Sequence, residues 1–179
     1  MKRIEICGKK NINKLCPIDY QEKIKAERIN IKDIDNKLLE YDEQIIYINK
    51  LFMEEDFIYK ILLIRELEKK KNSYKHQDID KNIYSEEFII NLSDIIEKLV
   101  ISKLKCCYCK QNIKLLYKKI RDDYQWTLDR INNNIGHTND NTVISCLKCN
   151  LERRKTNQKA FLDRKSTRLN SSHQIISYA

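Results

Sequence analysis

The sequence predicts an α+β chain. A mainly helical N-terminal half, residues 1–104, precedes a small module of strands and one helix, residues 105–162, closed around a four-cysteine zinc site. Three observations predict this. Two glycines and one proline in 179 residues supply few tight turns and favour helix over a turn-rich sandwich. Apolar residues of the first half recur at helical spacing. Two Cys-x-x-Cys pairs, Cys106/Cys109 and Cys146/Cys149, bracket a polar segment carrying Asp129, His137 and Asn141. Four thiolates at that spacing can close a tetrahedral shell on Zn²⁺.

Residues 1–20 read as basic and irregular, and Cys7 and Cys16 lack a partner pair. From about Asp19 to Lys71 the pattern is helical, with Phe57, Ile61 and Ile64 at i, i+4 and i+7 and Ile58 and Leu62 beside them. The run KKNSYKHQDIDKN reads as a polar break that holds His76 in a solvated loop. Ser85 is expected as the N-cap of a next helix, with Glu86 and Glu87 in its first turn. Phe88, Leu92, Ile95, Ile96 and Leu99 form its apolar stripe. Such stripes predict a helical support for the C-terminal module in preference to a separate DNA-binding or dimerising arm.

In the module, Ile113–Tyr117 and Trp126–Ile131 have the β-branched and aromatic content of strands. Asn132–Asn141 reads as a polar loop, Thr142–Ser145 as a short apolar strand. From Cys146 onward the chain suits a helix with Leu147, Leu151 and Phe161 inward.

Composition narrows the setting. No uninterrupted aliphatic or aromatic run exceeds four residues, so no membrane span is expected. The segment MKRIEICGKKNINK lacks the apolar core of a signal peptide. Seven cysteines, an odd number, suit metal ligation in a reducing intracellular compartment, cytoplasmic or nuclear. The net charge of +9 points to a polyanionic partner, although a chain this rich in Lys, Ile and Asn also fits A/T-rich coding. The last stretch, DRKSTRLNSSHQIISYA, residues 163–179, resembles the translation of a short-read sequencing adapter and is set aside from functional reasoning. It carries three basic residues (Arg164, Lys165, Arg168) and one acid (Asp163), so the net positive charge survives without it.

At CYC, WTLDRINNNIGHTNDNTVISC and CNLERRK the chain resembles the HNH endonucleases, the ββα-metal superfamily. The resemblance covers about Cys106–Asn157, less than a third of the chain. It implies a metal-dependent endonuclease that hydrolyses DNA phosphodiester bonds, with a structural zinc held by Cys106, Cys109, Cys146 and Cys149. Asp129 matches the acidic residue that ligates a catalytic divalent ion, Mg²⁺ or Mn²⁺, for which a hard oxygen donor is suited. Asn150 matches the helix residue that completes that site. Asn141 matches the asparagine that ties loop backbone. The family usually places its general base, a histidine, directly after the acidic residue, where this chain has Arg130, which stays protonated and is a poor base. Two routes remain open: His137 serves as base, or the metal activates its own water while Arg130 neutralises phosphate. Arg153, Arg154 and Lys155 follow Asn150 and are expected to hold flanking phosphates together with Arg130. The alternative is a zinc-stabilised DNA-binding module without catalysis, and a third reading is a zinc-ribbon domain that docks a protein.

Overall fold

A chain with 34% charged residues has to gather its apolar side chains economically, and here helices and module share one core. A computed structural model describes residues 35–174. Cys7, Cys16 and the start of the helical pattern at Asp19 lie outside the described residues. A 3₁₀ turn, Asn36–Leu39, leads into α1 (Tyr41–Phe52), α2 (Lys60–Asp80) and α3 (Leu92–Ile101). Then come β1 (Trp126–Arg130), β2 (Thr142–Cys146), α4 (Leu147–Arg153) and α5 (Gln158–Gln174). The result is a mixed α/β arrangement with five α-helices and one two-stranded sheet among the described residues. None of these helices is long and apolar enough to cross a membrane.

Helix α1 carries Asp42 and Glu43 in its first turn and Lys50 in its last, which complements its dipole. It buries Gln44, Ile48 and Leu51, spaced i, i+4, i+7. Helix α2 runs unbroken through the stretch expected as a polar break. That stretch contains neither glycine nor proline, and Tyr74 and Asp78 prolong the buried face begun by Leu63 and Leu67. The expected stripe is therefore offset: Ile58 and Ile61 are exposed, and Phe57 instead meets the Tyr47 ring at 5.3 Å between centroids. His76 is exposed as expected but sits on the helix, its Nδ1–H donating to the Asn72 carbonyl at 2.7 Å.

Ser85 does not cap α3. Its carbonyl accepts from the Ile89 N–H at 3.1 Å and closes a single turn. The cap is Asn91, whose side chain accepts from the Asp94 N–H at 2.8 Å while Asp94 accepts from the Asn91 N–H at 3.3 Å. This reciprocal box satisfies two otherwise orphaned donors. Ile95, Ile96 and Leu99 are buried as expected, and Phe88 is exposed.

Ile113–Tyr117 is not a strand. Ile113, Leu115, Leu116 and Tyr117 are all buried, and the segment's ladder contact is the isolated Lys114–Gln125 bridge. Its backbone partners come from elsewhere. The Lys114 N–H donates to the Tyr124 carbonyl at 2.8 Å, and the Gln44 side chain covers the rest. Gln44 Oε1 accepts from the Leu115 and Leu116 N–H groups at 2.6 and 3.0 Å, and its Nε2 donates to the Leu39 and Leu116 carbonyls at 2.9 and 3.2 Å. One buried amide thus replaces a missing strand partner.

Strands β1 and β2 pair antiparallel, from Trp126 opposite Cys146 to Arg130 opposite Thr142. Every β1 residue is buried because both faces are covered. Trp126 and Arg130 face α2, where the Lys70 ammonium lies over the Trp126 ring at 4.5 Å and donates to the Trp126 carbonyl. Thr127 and Asp129 face α4. The expected single C-terminal helix is two helices. Helix α4 stops at Arg154, which has φ 52° and ψ −112°, and Asn157 caps the start of α5 by accepting from the Lys159 N–H at 3.0 Å. Phe161 is fully buried as expected, but Leu151 is exposed, because α4 turns Arg153 inward instead. Helix α5 runs on past residue 163 without a break.

Gln44→Ala should destabilise the protein by about 2–3 kcal/mol, since it strands buried backbone donors and acceptors that water cannot reach. Urea denaturation of the two proteins measures this.

Candidate functional site

The four cysteines converge from two local structures. After α3 the chain turns through Lys103 and Leu104, both with positive φ, into a knuckle. Within it the Cys106 N–H donates to the Gln111 carbonyl and the Lys110 N–H to the Cys106 carbonyl, each at 3.0 Å. Lys110 itself adopts φ 60° to close the turn. The second pair lies where β2 becomes α4. Cys146 is both the last strand residue and the helix cap, and its sulfur accepts from the Cys149 N–H at 3.4 Å. The four Sγ atoms all lie within 4.8 Å of one another, and Cys109 and Cys146 are 3.9 Å apart. A tetrahedron with Zn–S bonds of about 2.3 Å has edges of about 3.8 Å. The set therefore fits a metal such as zinc with only slight contraction. All four are free thiols, and hydrogen bonds from its neighbours hold the Cys106 pKa far below the ordinary thiol value. Cys109 is raised by Cys106 but lowered by Cys146 and Cys149, for a net value of about 7. The same sulfur–sulfur hydrogen bonds raise Cys146 and Cys149, so protons are shared unevenly across the cluster, and a cation bound there would displace them. Cys107 is half-buried and stands outside the tetrad.

A second polar centre lies between β1 and α4. Asp129 is 4% exposed and Arg153 is 1% exposed. Arg153 grips the carboxylate with both arms, Nε to Oδ2 and Nη2 to Oδ1, each at 2.6 Å. The Tyr108 hydroxyl donates to Oδ2 at 2.7 Å. Arg153 also donates to the Arg130 carbonyl at 2.5 Å, the Thr156 carbonyl at 2.7 Å and Asn133 Oδ1 at 3.3 Å. Burial opposes the Arg153 charge, but the bond and charge of Asp129 outweigh it and raise its pKa. Burial, and then the bond to Asp129, likewise raise that of Tyr108. This is a bidentate buried ion pair with its remaining donors satisfied.

The other expected site residues are placed as follows. Arg130, expected at phosphate, is buried, 3.7 Å from Asp78 Oδ1. Arg153, also expected there, is the buried partner of Asp129. His137 is buried, with Nδ1 2.8 Å from Asp78 Oδ1, its own N–H 2.6 Å from Asp78 Oδ2, and its ring 4.6 Å from the Tyr74 ring. Burial lowers the His137 pKa, and Asp78 opposes that shift. Asn141 accepts from the Asn132 N–H at 2.8 Å and donates to the carbonyls of Asn132, Ile135 and Gly136, so it knits the β1–β2 loop. Asn150 donates to Thr127 Oγ1 at 3.2 Å and the Leu128 carbonyl at 3.3 Å, one step along β1 from Asp129. Arg154 and Lys155 are exposed. Thus Asp129 meets Arg153 and Tyr108, while His137 and Arg130 meet Asp78.

Sequence reasoning missed Asp78 and Tyr108. Asp78 carries a faint signal, since it extends the 63/67/74 apolar spacing with an acid, and an acid on a buried face demands a partner. Tyr108 lies between two metal-ligand candidates and carried no separate signal.

These features define a mixed α/β protein with a four-cysteine cluster able to take a metal such as zinc. Over 136 residues the chain is 30% identical to an uncharacterized protein of Acanthamoeba polyphaga mimivirus, a span that covers 76% of this chain and 23% of that protein. The chain thus matches about a quarter of that relative's length. No family model and no solved structure matches it.

Two outcomes follow from this geometry. Purified protein should carry stoichiometric zinc by elemental analysis, and chelation or Cys149→Ser should lose the metal and the near-UV signal of the buried Trp126 together. Arg153→Ala should cost about 3–5 kcal/mol in urea, because it leaves the Asp129 charge buried and alone, whereas an Asp129→Leu/Arg153→Met double variant should recover much of that loss.

Proposed function

We propose that the chain is a zinc-stabilised DNA-binding module in which the position corresponding to the HNH metal-ligating acid has become structural. The observation that carries this reading is the Asp129 carboxylate, gripped through both oxygens by Arg153 with Tyr108 added, and buried. A carboxylate so engaged is a poor ligand for Mg²⁺, which demands near-ideal geometry from its donors. Arg130 and His137 are buried against Asp78, so the expected base and the phosphate clamp beside Asp129 are both engaged within the protein. Exposed cations in the module, among them Lys105, Lys110, Lys148, Arg154 and Lys155, outnumber its exposed acids Asp123, Asp140 and Glu152. Together with the net positive charge that residues 1–162 keep, this supports a polyanion as partner.

The strand–loop–strand–helix order beside four clustered cysteines, with Asp129 and Asn150 both at the β1–α4 contact, favours HNH endonuclease as the second reading. It requires Arg153 to release Asp129, so that Asp129 and Asn150 hold Mg²⁺ or Mn²⁺. The ion would then supply the Lewis acidity for phosphodiester hydrolysis.

Incubation of the full chain with supercoiled plasmid and Mg²⁺ or Mn²⁺, alongside anisotropy with a labelled duplex, separates the two. The binding module predicts salt-sensitive DNA binding and no nicking. Nicking that Asp129→Asn abolishes would overturn it in favour of the nuclease. Absence of DNA affinity at low salt would end both.

A further inference from the structure

The β1–β2 connection opens with Ile131-Asn132-Asn133-Asn134-Ile135. Ile131 is 40% exposed and Ile135 is 46% exposed, although the loop that presents them is anchored at nearly every step. The Ile131 N–H donates to the Asn141 carbonyl at 2.8 Å, and the Asn141 side chain binds the backbone of Asn132, Ile135 and Gly136. Arg153 holds the Asn133 side chain. The Asn132 side chain accepts from the Asn134 N–H at 3.0 Å. A loop stiffened in this way loses little freedom on binding.

Cationic side chains stand on both sides of it. On one side, Gly136 lies so close to the end of α2 that an added Cβ would meet the Ile83 carbonyl oxygen at 2.7 Å and Asp78 Oδ2 at 2.9 Å. Lys81, the C-cap of α2, feels the charges of Arg130 and Lys155 and so stands beside the loop. On the other side, Arg153 reaches from Asn133 to the Thr156 carbonyl, which brings Arg154 and Lys155 alongside. Partial burial, and then repulsion from Arg130 and Lys155, lower the pKa of Lys81, while Asp78 opposes this. Asp78 already serves His137 and Arg130 with both oxygens. Arg154 keeps φ 52° and ψ −112°, a conformation that favours glycine, where a long cation offers no packing gain.

We propose that this edge reads duplex DNA: Ile131 and Ile135 wedge at base steps in a groove, exposed Asn132 and Asn134 meet base edges, and Lys81, Arg154 and Lys155 hold phosphates on the two sides. Apolar wedges flanked by cations suit the minor groove, where insertion kinks the duplex and brings more phosphate into reach. The inference rests on the DNA-binding reading above.

The test is anisotropy of the full chain on a labelled duplex across a salt series, with a gel bending assay. Lys81→Ala/Lys155→Ala should lower the slope of log affinity against log salt by about 1.8, since each duplex phosphate contact contributes about 0.9. Ile131→Ser/Ile135→Ser should weaken binding and abolish bending with the slope unchanged. Lys69→Ala, on exposed α2 surface about 18 Å along the helix from Lys81, should change neither. Circular dichroism confirms that each variant is folded. An unchanged slope in the folded lysine variant overturns this edge and leaves DNA binding elsewhere on the protein intact. Tighter binding to single strands than to duplex overturns the wedge. No binding by the unaltered protein overturns this inference and the reading beneath it.

Discussion

The ion pair between Asp129 and Arg153 fixes how the module is assembled. Together with the Asn150 bonds to Thr127 and Leu128 it ties α4 to β1, and the same guanidinium binds the end of β1, the loop beyond it and the turn after α4. Without such a link a seven-residue helix has little reason to persist, because helices this short are marginal in water. The pair also explains why α4 exposes Leu151. A helix that must bring Arg153 to Asp129 cannot bring Leu151 inward as well. Phe161, from α5, then closes over Tyr108 edge-on at 4.9 Å, shielding the hydroxyl that completes the carboxylate's partners.

Asp78 plays the corresponding part on the other face of the hairpin. It accepts from the His137 backbone and ring and lies near Arg130, so α2 holds both strands' connection as α4 holds β1. Two acids, one on a helix and one on a strand, each face a cationic or imidazole partner from a different part of the chain. This cross-tying makes the helices and the module one body with one core, consistent with the helices serving as support. Gln44 does the same for the irregular 113–117 segment, and Lys98 reaches the Thr142 carbonyl at 3.1 Å.

The sequence showed well what local chemistry dictates. Four cysteines in two spaced pairs announced their own meeting although the pairs lie far apart in the chain, because each pair is half of a tetrahedral shell that only the other can complete. The β1 and β2 positions followed from β-branched and aromatic runs, and the Asn141 loop ties agree with a polar connection that needs internal partners. It showed poorly whatever depends on distant partners. The segment around His76 is polar in composition but helical, because only every third or fourth residue has to be buried. Ile113–Tyr117 has strand content but pairs only through the isolated Lys114–Gln125 bridge and turns to Gln44 for its other backbone partners. Arg153 looked like one of three phosphate-holding cations. Nothing within a helix turn of it reveals that Asp129, 24 residues earlier, faces the same space.

Cys146 ends one element and begins the next, and this has a consequence for the order of assembly during synthesis. The knuckle at Cys106 and Cys109 leaves the ribosome first, with two sulfurs that cannot fill a tetrahedral shell. Closure has to wait until Cys149 has emerged, by which time β2 and the first turn of α4 are also available. A metal taken by the tetrad would therefore be captured no earlier than hairpin pairing and helix initiation become possible, and a nascent chain that stalls before that point would offer two of the four sulfurs.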